Sequence, residues 1–219
     1  MPSNESCVAL HLQAPLQSWG VCSQFSERDT GRFPSKSAIS GMICAAFGYA
    51  RGSEQERDLL EMLSQIKFLT VSTYGASPTS NVPGRLNDFH TVMGTRKANG
   101  GVKACHITRR HYLTDSEFYV FLSGNDELIH SIASAIKNPV WGLWLGRKCC
   151  IPSTPIFAGE YTSEVEALKR FFDQPIEHYS SCEDAVNSTV DDYAWDEPRS
   201  FESRKRIFEP RKVHINIGH

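Results

Sequence analysis

Residues 30–41 read TGRFPSKSAISG. Lys36 and Ser37 stand behind a glycine and a proline, at what the pattern marks as a helix start. That is the chemistry of phosphate binding, and the glycines decide which kind. A nucleotide-hydrolysing loop needs G-x-x-x-x-G-K-[ST]. Aligned on Lys36 and Ser37, its two glycine positions hold Thr30 and Ser35. Gly31 is out of register, and Pro34 removes an amide from the cradle. The nucleotide cradle is therefore excluded. A lysine at a helix N-terminus remains, where free amides and the helix dipole favour an anion. Taken by itself, the stretch reads first as an ordinary cap with a solvated lysine and second as an anion site.

Two other stretches carry positive charge. Between residues 75 and 110, Arg85, Arg96, Lys97, Lys103, Arg109 and Arg110 stand against one acid, Asp88. Arginines spaced among glycines and aromatics suit a flexible arm along a phosphate backbone, because the guanidinium fork grips phosphate and stacks on bases. A solvated surface hairpin is the plain alternative, and a surface usually mixes signs. The second stretch is GLWLGRKCC, residues 142–150. Its glycines allow close backbone approach, and Arg147 and Lys148 supply charge. His90, His106, His111 and Tyr112 contain groups able to move a proton in RNA cleavage, but they form no recognisable acid–base pair.

The elements that would position these residues follow from the pattern. The 219 residues are 40% hydrophobic, enough for one large domain or two small ones. Net charge is −2, so the whole chain gives no basic signal. The seven cysteines are scattered without a C-x-x-C pair, which reads as reduced thiols in a cytoplasmic protein, with neither disulfide scaffold nor zinc ribbon. No metal or cofactor is expected. No apolar run approaches a membrane span, and no signal peptide is read.

VALHLQA (8–14) reads as a strand bounded by Pro15, followed by a loop of some twenty residues. Residues 37–48 read as a mostly buried helix ending at Gly48. Ser53 and Glu56 have capping-box spacing ahead of a second helix, and KFLTVSTY (67–74) alternates like a strand. Residues 75–110 read as a hairpin-like excursion, 111–123 as one or two strands, and Asp126 as the cap of a third helix. Residues 160–198 hold eleven acids against Lys169 and Arg170. The order fits β-α-β-β-α-β. The expected fold is α+β: a ferredoxin-like (RRM-like) palm over 1–74 and 111–160, an inserted β-hairpin thumb over 75–110, and a small, mostly β C-terminal region over 161–219.

Five stretches, in order and spacing, resemble the Cas-five family of CRISPR-associated proteins: APLQSWG (14–20), TGRFPSKSAISGMICAAFG (30–48), RLNDFHTVMGTR (85–96), TRRHYL (108–113) and LWLGRKCCIPSTPIF (143–157). Beyond about residue 160 only ESRKRIF (202–208) matches. The resemblance implies a subunit of a type I Cascade complex that caps the 5′ handle of the CRISPR RNA. It further implies contacts with a neighbouring backbone subunit and with the large subunit that reads the protospacer-adjacent motif, and so with target DNA only indirectly. The DFHTV stretch resembles the I-E form, which binds RNA without cutting it. In subtype I-C the corresponding protein is itself the nuclease.

Carried onto this sequence, the resemblance places Gln17, Ser18 and Trp19 facing RNA or the neighbouring subunit. It places Arg32, Lys36 and Ser37 on handle phosphates at the helix start. Arg85, His90 and Thr91 fall in the thumb, Arg109, Arg110 and Tyr112 on the strand leaving it, and Gly146, Arg147 and Lys148 in the basic turn. The family commonly has threonine at Ser35 and arginine at Lys36 and Lys148; lysine keeps the charge and loses the fork. No catalytic residue is expected. The alternatives are a metal-independent endoribonuclease of repeat RNA, using His90, His111 or Tyr112, and a scaffold whose RNA contact is incidental. The acidic 160–198 segment would face protein.

Overall fold

The structure is a computed structural model describing residues 5–21, 23–24, 26–73, 84–97, 99–173, 178–181, 190–203 and 205–217. In chain order the elements are β1 (Glu5–Gln17), β2 (Ser23–Gln24), β3 (Glu27–Arg28), α1 (Lys36–Phe47), α2 (Glu54–Ser64), β4 (Lys67–Ser72), β5 (Gly84–Arg96), β6 (Val102–Asn125), α3 (Asp126–Lys137), β7 (Phe157–Tyr161), α4 (Glu164–Phe171), β8 (His178–Ser181), β9 (Val190–Ser200) and β10 (Ile207–Ile217). Part of the acidic segment, including Glu177, Glu183 and Asp184, lies outside the described residues, as do Pro78 and Pro83 of the expected thumb.

β1 reads as a strand because its side chains alternate between two buried faces. Val8, Leu10, Leu12 and Ala14 meet the layer that contains α1, α2 and α3. Cys7 and Ala9 meet the opposite face, where Ala167, Phe171 and Phe172 of the α4 segment pack. The central strands run β7-β1-β6-β4, antiparallel at every step. This mixed α+β sheet is what the element order requires, since the strands joined through helices must leave room for another strand between them. The C-terminal strands do not stand apart. β8 pairs with β4, and β10 and β9 follow, so they widen the same sheet.

β6 organises the molecule. It is a single strand of 24 residues, where the sequence pattern marked only 111–123. Its second half lies between β1 and β4; its first half pairs with β5 from Gly84↔Thr114 to Arg96↔Val102. The hairpin arm is thus an extension of a core strand. Where arm meets core, Asp115 takes a left-handed φ of 47°, alone among the described non-glycine residues. Pro15 stands at the corresponding place in β1, between the pairs Ala14↔Ser116 and Leu16↔Thr114. Proline cannot donate to a ladder, yet β1 continues past it to Gln17, beyond the expected boundary.

The helix ends follow their chemistry closely. Ser35 caps α1 by accepting from the Ala38 amide, and Gly48, at φ 75°, closes it with bonds to Ala45 and Cys44. Ser53 caps α2, but Glu56 turns to the amides of Gly52 and Phe201 instead of completing the box. Asn125, one residue before the expected cap, accepts from Glu127 and Leu128 at the start of α3. No helix among the described residues is long and apolar enough to cross a membrane.

A cation-lined cleft as candidate nucleic-acid interface

The start of α1 does attract an anion, and the chain supplies it. The Lys36 amide donates to Asp196 Oδ2 at 2.7 Å. Arg211 grips the same carboxylate through Nε at 2.7 Å and a terminal nitrogen at 3.2 Å. The Lys36 ammonium is buried, 2.8 Å from Glu197 Oε2. The expectation for Lys36 is corrected accordingly: its charge faces β9 inside the protein, not a phosphate at the surface. Ser37 is half-buried and opens on the cleft described below, while Arg32 is exposed in the preceding loop.

Gln17, Ser18 and Trp19 form a buried joint instead of an exposed contact surface. Trp19 is fully buried, and its indole N–H donates to Gln17 Oε1 at 3.1 Å. The Gln17 amide group donates to the carbonyls of Leu12 and Ser116. The Ser18 amide donates to Leu145 at 3.1 Å, bringing the 142–150 turn against this joint. Gly146 there has φ 97°, and a Cβ would collide with the Ser18 carbonyl oxygen. Both conditions call for glycine. Arg147 is likewise engaged: it donates to His111 O at 3.0 Å and Arg28 O at 2.8 Å, and its guanidinium lies 4.5 Å from the Tyr112 ring centre. Lys148 beside it is exposed.

Tyr112 is buried in the main core, which pushes its hydroxyl pKa upward; the neighbouring Cys149 adds to the rise, and Arg147 opposes it. Arg85 is exposed and donates to Thr30 O at 3.1 Å, tying the base of the arm to the loop before α1. His90 is half-buried, 3.6 Å from Asp88, and Thr91 is exposed opposite Ile107. Arg109 is exposed, 3.9 Å from Glu27, and Arg110 donates to Thr108 Oγ1. The structure leaves Arg85, His90, Thr91, Arg109 and Arg110 on the arm and brings together Ser18, Ser37, Gly146, Arg147 and Lys148 around one cleft.

That cleft measures about 940 Å³. Its floor is the exposed side of α1 and the Ser18 joint; its walls are the 141–148 turn and the β9–β10 connection with Phe201, Arg206 and Phe208. Arg28, Arg51, Lys148 and Arg206 line it, and among the described residues none of these side chains forms an ion pair or hydrogen bond. Its acids are engaged: Glu56 accepts from two amides, and Asp29 accepts from the Thr30 amide. The sequence pattern missed Arg28, Arg51, Arg206, Trp141 and Trp144. The aromatic character of 139–150 and the similarity of 202–208 were the available signals, but neither said that the two stretches meet.

Fold and cleft define the class first: an α+β protein whose mostly antiparallel sheet carries a long hairpin arm and a cleft lined by arginine and lysine. The chain belongs to the family of CRISPR-associated proteins described as Cas_Cas5, which it matches over residues 7–214. It is 31% identical over 159 residues, 70% of each chain, to the CRISPR system Cascade subunit CasD of Escherichia coli (strain K12). It superposes on a chain of a CRISPR RNA-guided surveillance complex with a TM-score of 0.73 and 26% identity, covering 95% of this chain and 88% of that one. A second solved structure, a crystal structure of a Cas protein, gives a TM-score of 0.64 and 27% identity, with 96% and 93% covered.

Proposed function

We propose that this chain is a subunit of a type I Cascade complex and that it binds the 5′ handle of the guide RNA, capping that end of the assembly. The observation that carries the RNA-binding reading is the cleft, where four cations without an ion-pair partner among the described residues meet two exposed tryptophans. Single-stranded RNA is held by such pairings of charge and flat rings. The similarity to a Cascade subunit and to a surveillance-complex chain supports the assembly. The hairpin arm, exposing Phe89 and Met93 as well as its arginines, is the part suited to reach a neighbouring backbone subunit. The large subunit would contact the other side of the handle, in the cytoplasm.

The reading is one of binding without cleavage. Burial raises the pKa of the Tyr112 hydroxyl, which disfavours the phenolate that a general base would need. The test is incubation of the purified chain with labelled repeat RNA in EDTA. The expected result is a retarded band of intact RNA that weakens steeply with salt, because phosphate contacts release counterions. A discrete cut releasing the 5′ handle, lost in His90→Ala or Tyr112→Phe, would replace binding by endonucleolytic processing.

A further inference from the structure

Two exposed tryptophans on one small turn call for an explanation, since a soluble surface seldom carries large aromatic rings without a use. Trp141 is 47% exposed and Trp144 39%, and both border the cleft. The turn that carries them is held firmly. The amides of Val140 and Trp141 donate to Ala46 and Ala45 near the end of α1, and Leu145 and Cys150 close the turn on each other. The opposite wall is equally fixed. The Phe201 amide donates to Glu56, the Phe201 and Phe208 rings lie 6.2 Å apart, and β9 behind them is anchored to α1 through Asp196 and Glu197. Arg206 projects from this wall and Arg51 from the segment after α1, both exposed.

We infer that the cleft is a nucleotide pocket: one guide nucleotide leaves the stack, its base lies on the Trp141–Trp144 wall, and Arg51 and Arg206 hold its flanking phosphates. This rests on the RNA-binding reading above and adds to it the place, the chemical unit and the second wall. That second wall belongs to the C-terminal region, outside every RNA-contact position expected from the sequence. The volume falls within the range of small-ligand pockets, roughly 300–1,000 Å³, and the lining has their pattern of flat apolar surface with a few directed polar groups. The cations suit phosphate better than an acidic protein segment because they flank exposed rings: a nucleotide uses both, whereas a carboxylate uses only the charge.

The experiment is abasic scanning of the repeat RNA against the full chain. Each RNA carries one abasic site; each is titrated with the wild type, Trp141→Ala/Trp144→Ala, Trp141→Phe/Trp144→Phe, Arg51→Ala/Arg206→Ala and, as a control outside the cleft, Trp195→Ala. Thermal melting checks that each variant is folded. In the wild type, one abasic position should lose about tenfold in affinity, within the range for loss of a base stacked on an aromatic ring. In the double alanine variant that position should no longer matter, while the phenylalanine variant should restore its effect. The Arg51→Ala/Arg206→Ala chain should flatten the salt dependence by about 1–2 in slope without erasing the abasic effect. Intact RNA binding with the same abasic profile in wild type and alanine variant would overturn the pocket and leave the RNA-binding reading standing. Failure of the folded wild type to bind any repeat RNA would overturn both.

Discussion

The Lys36 ammonium sits 2.8 Å from Glu197 Oε2 while the backbone amide of the same residue holds Asp196 at 2.7 Å, so one residue fastens the C-terminal hairpin to the start of α1 twice. Breaking a buried pair from one side strands the other charge and costs about 3–5 kcal/mol. Glu197→Ala should therefore lower the urea midpoint markedly, with the slope of the transition kept. Lys36→Met combined with Glu197→Leu should recover most of the loss, since apolar replacement of a buried pair is often neutral. A double-mutant cycle reads the coupling; additive effects would contradict the geometry.

Gly146→Ala should destabilise the chain by about 2 kcal/mol or more, through a left-handed backbone and a collision with the Ser18 carbonyl. Trp19→Ala, which empties a fully buried site next to it, should cost about 3–5 kcal/mol. Both are read from denaturant unfolding. A Gly146→Ala protein as stable as the parent would mean that the turn and the Ser18 joint are not locked together.

Arg147→Lys keeps the charge and loses the fork that spans His111 and Arg28. The expected outcome is a lower melting temperature and weaker RNA binding with a nearly unchanged salt slope. A phosphate-gripping arginine would give a different pattern: an unchanged melting temperature, with only RNA binding weakened by the loss of the fork.

Alkaline pH should unfold the protein early. Burial pushes Cys7 and Cys150 up to about 11 and Cys44 up to about 12, from the ordinary 9.0. Above pH 9 the unfolded chain releases these protons while the folded chain keeps them. The unfolded state then binds fewer protons, so stability is complete below pH 9 and declines as pH rises toward 11, by up to about 1.4 kcal/mol per pH unit per thiol. Melting temperatures measured across this window should fall, and Cys44→Ala should shallow the fall. A flat profile would count against buried neutral thiols.

Local chemistry was legible in the sequence wherever one segment decides it. Ser35, Gly48 and Ser53 act at helix ends as their types suggest, and β1 alternates as written. Partners distant in sequence were hidden. Nothing within TGRFPSKSAISG reveals that its anion is Asp196, 160 residues away, so its lysine looked available for phosphate. Arg147 stands in a basic run, but its two carbonyl acceptors come from β3 and β6. Conversely, Arg51 and Arg206 lie in unremarkable surroundings and become notable only because the fold brings both to one cleft. Charge is visible in a sequence; whether it is already spent is a property of the packed chain.

The junction at Asp115 has a mechanical consequence. Hydrogen-bonded ladders run along β6 on both sides of this residue, to β1 in the body and to β5 in the arm, and the left-handed φ of Asp115 falls where the two meet. Pro15, opposite, has its own φ fixed by its ring. The arm is thus a paired, extended strut, reaching about 40 Å over the twelve or so residues from Asp115 to its tip at about 3.3 Å each. Whatever seats at the tip is thereby carried the length of the strut away from the loop that Arg85 ties to its base.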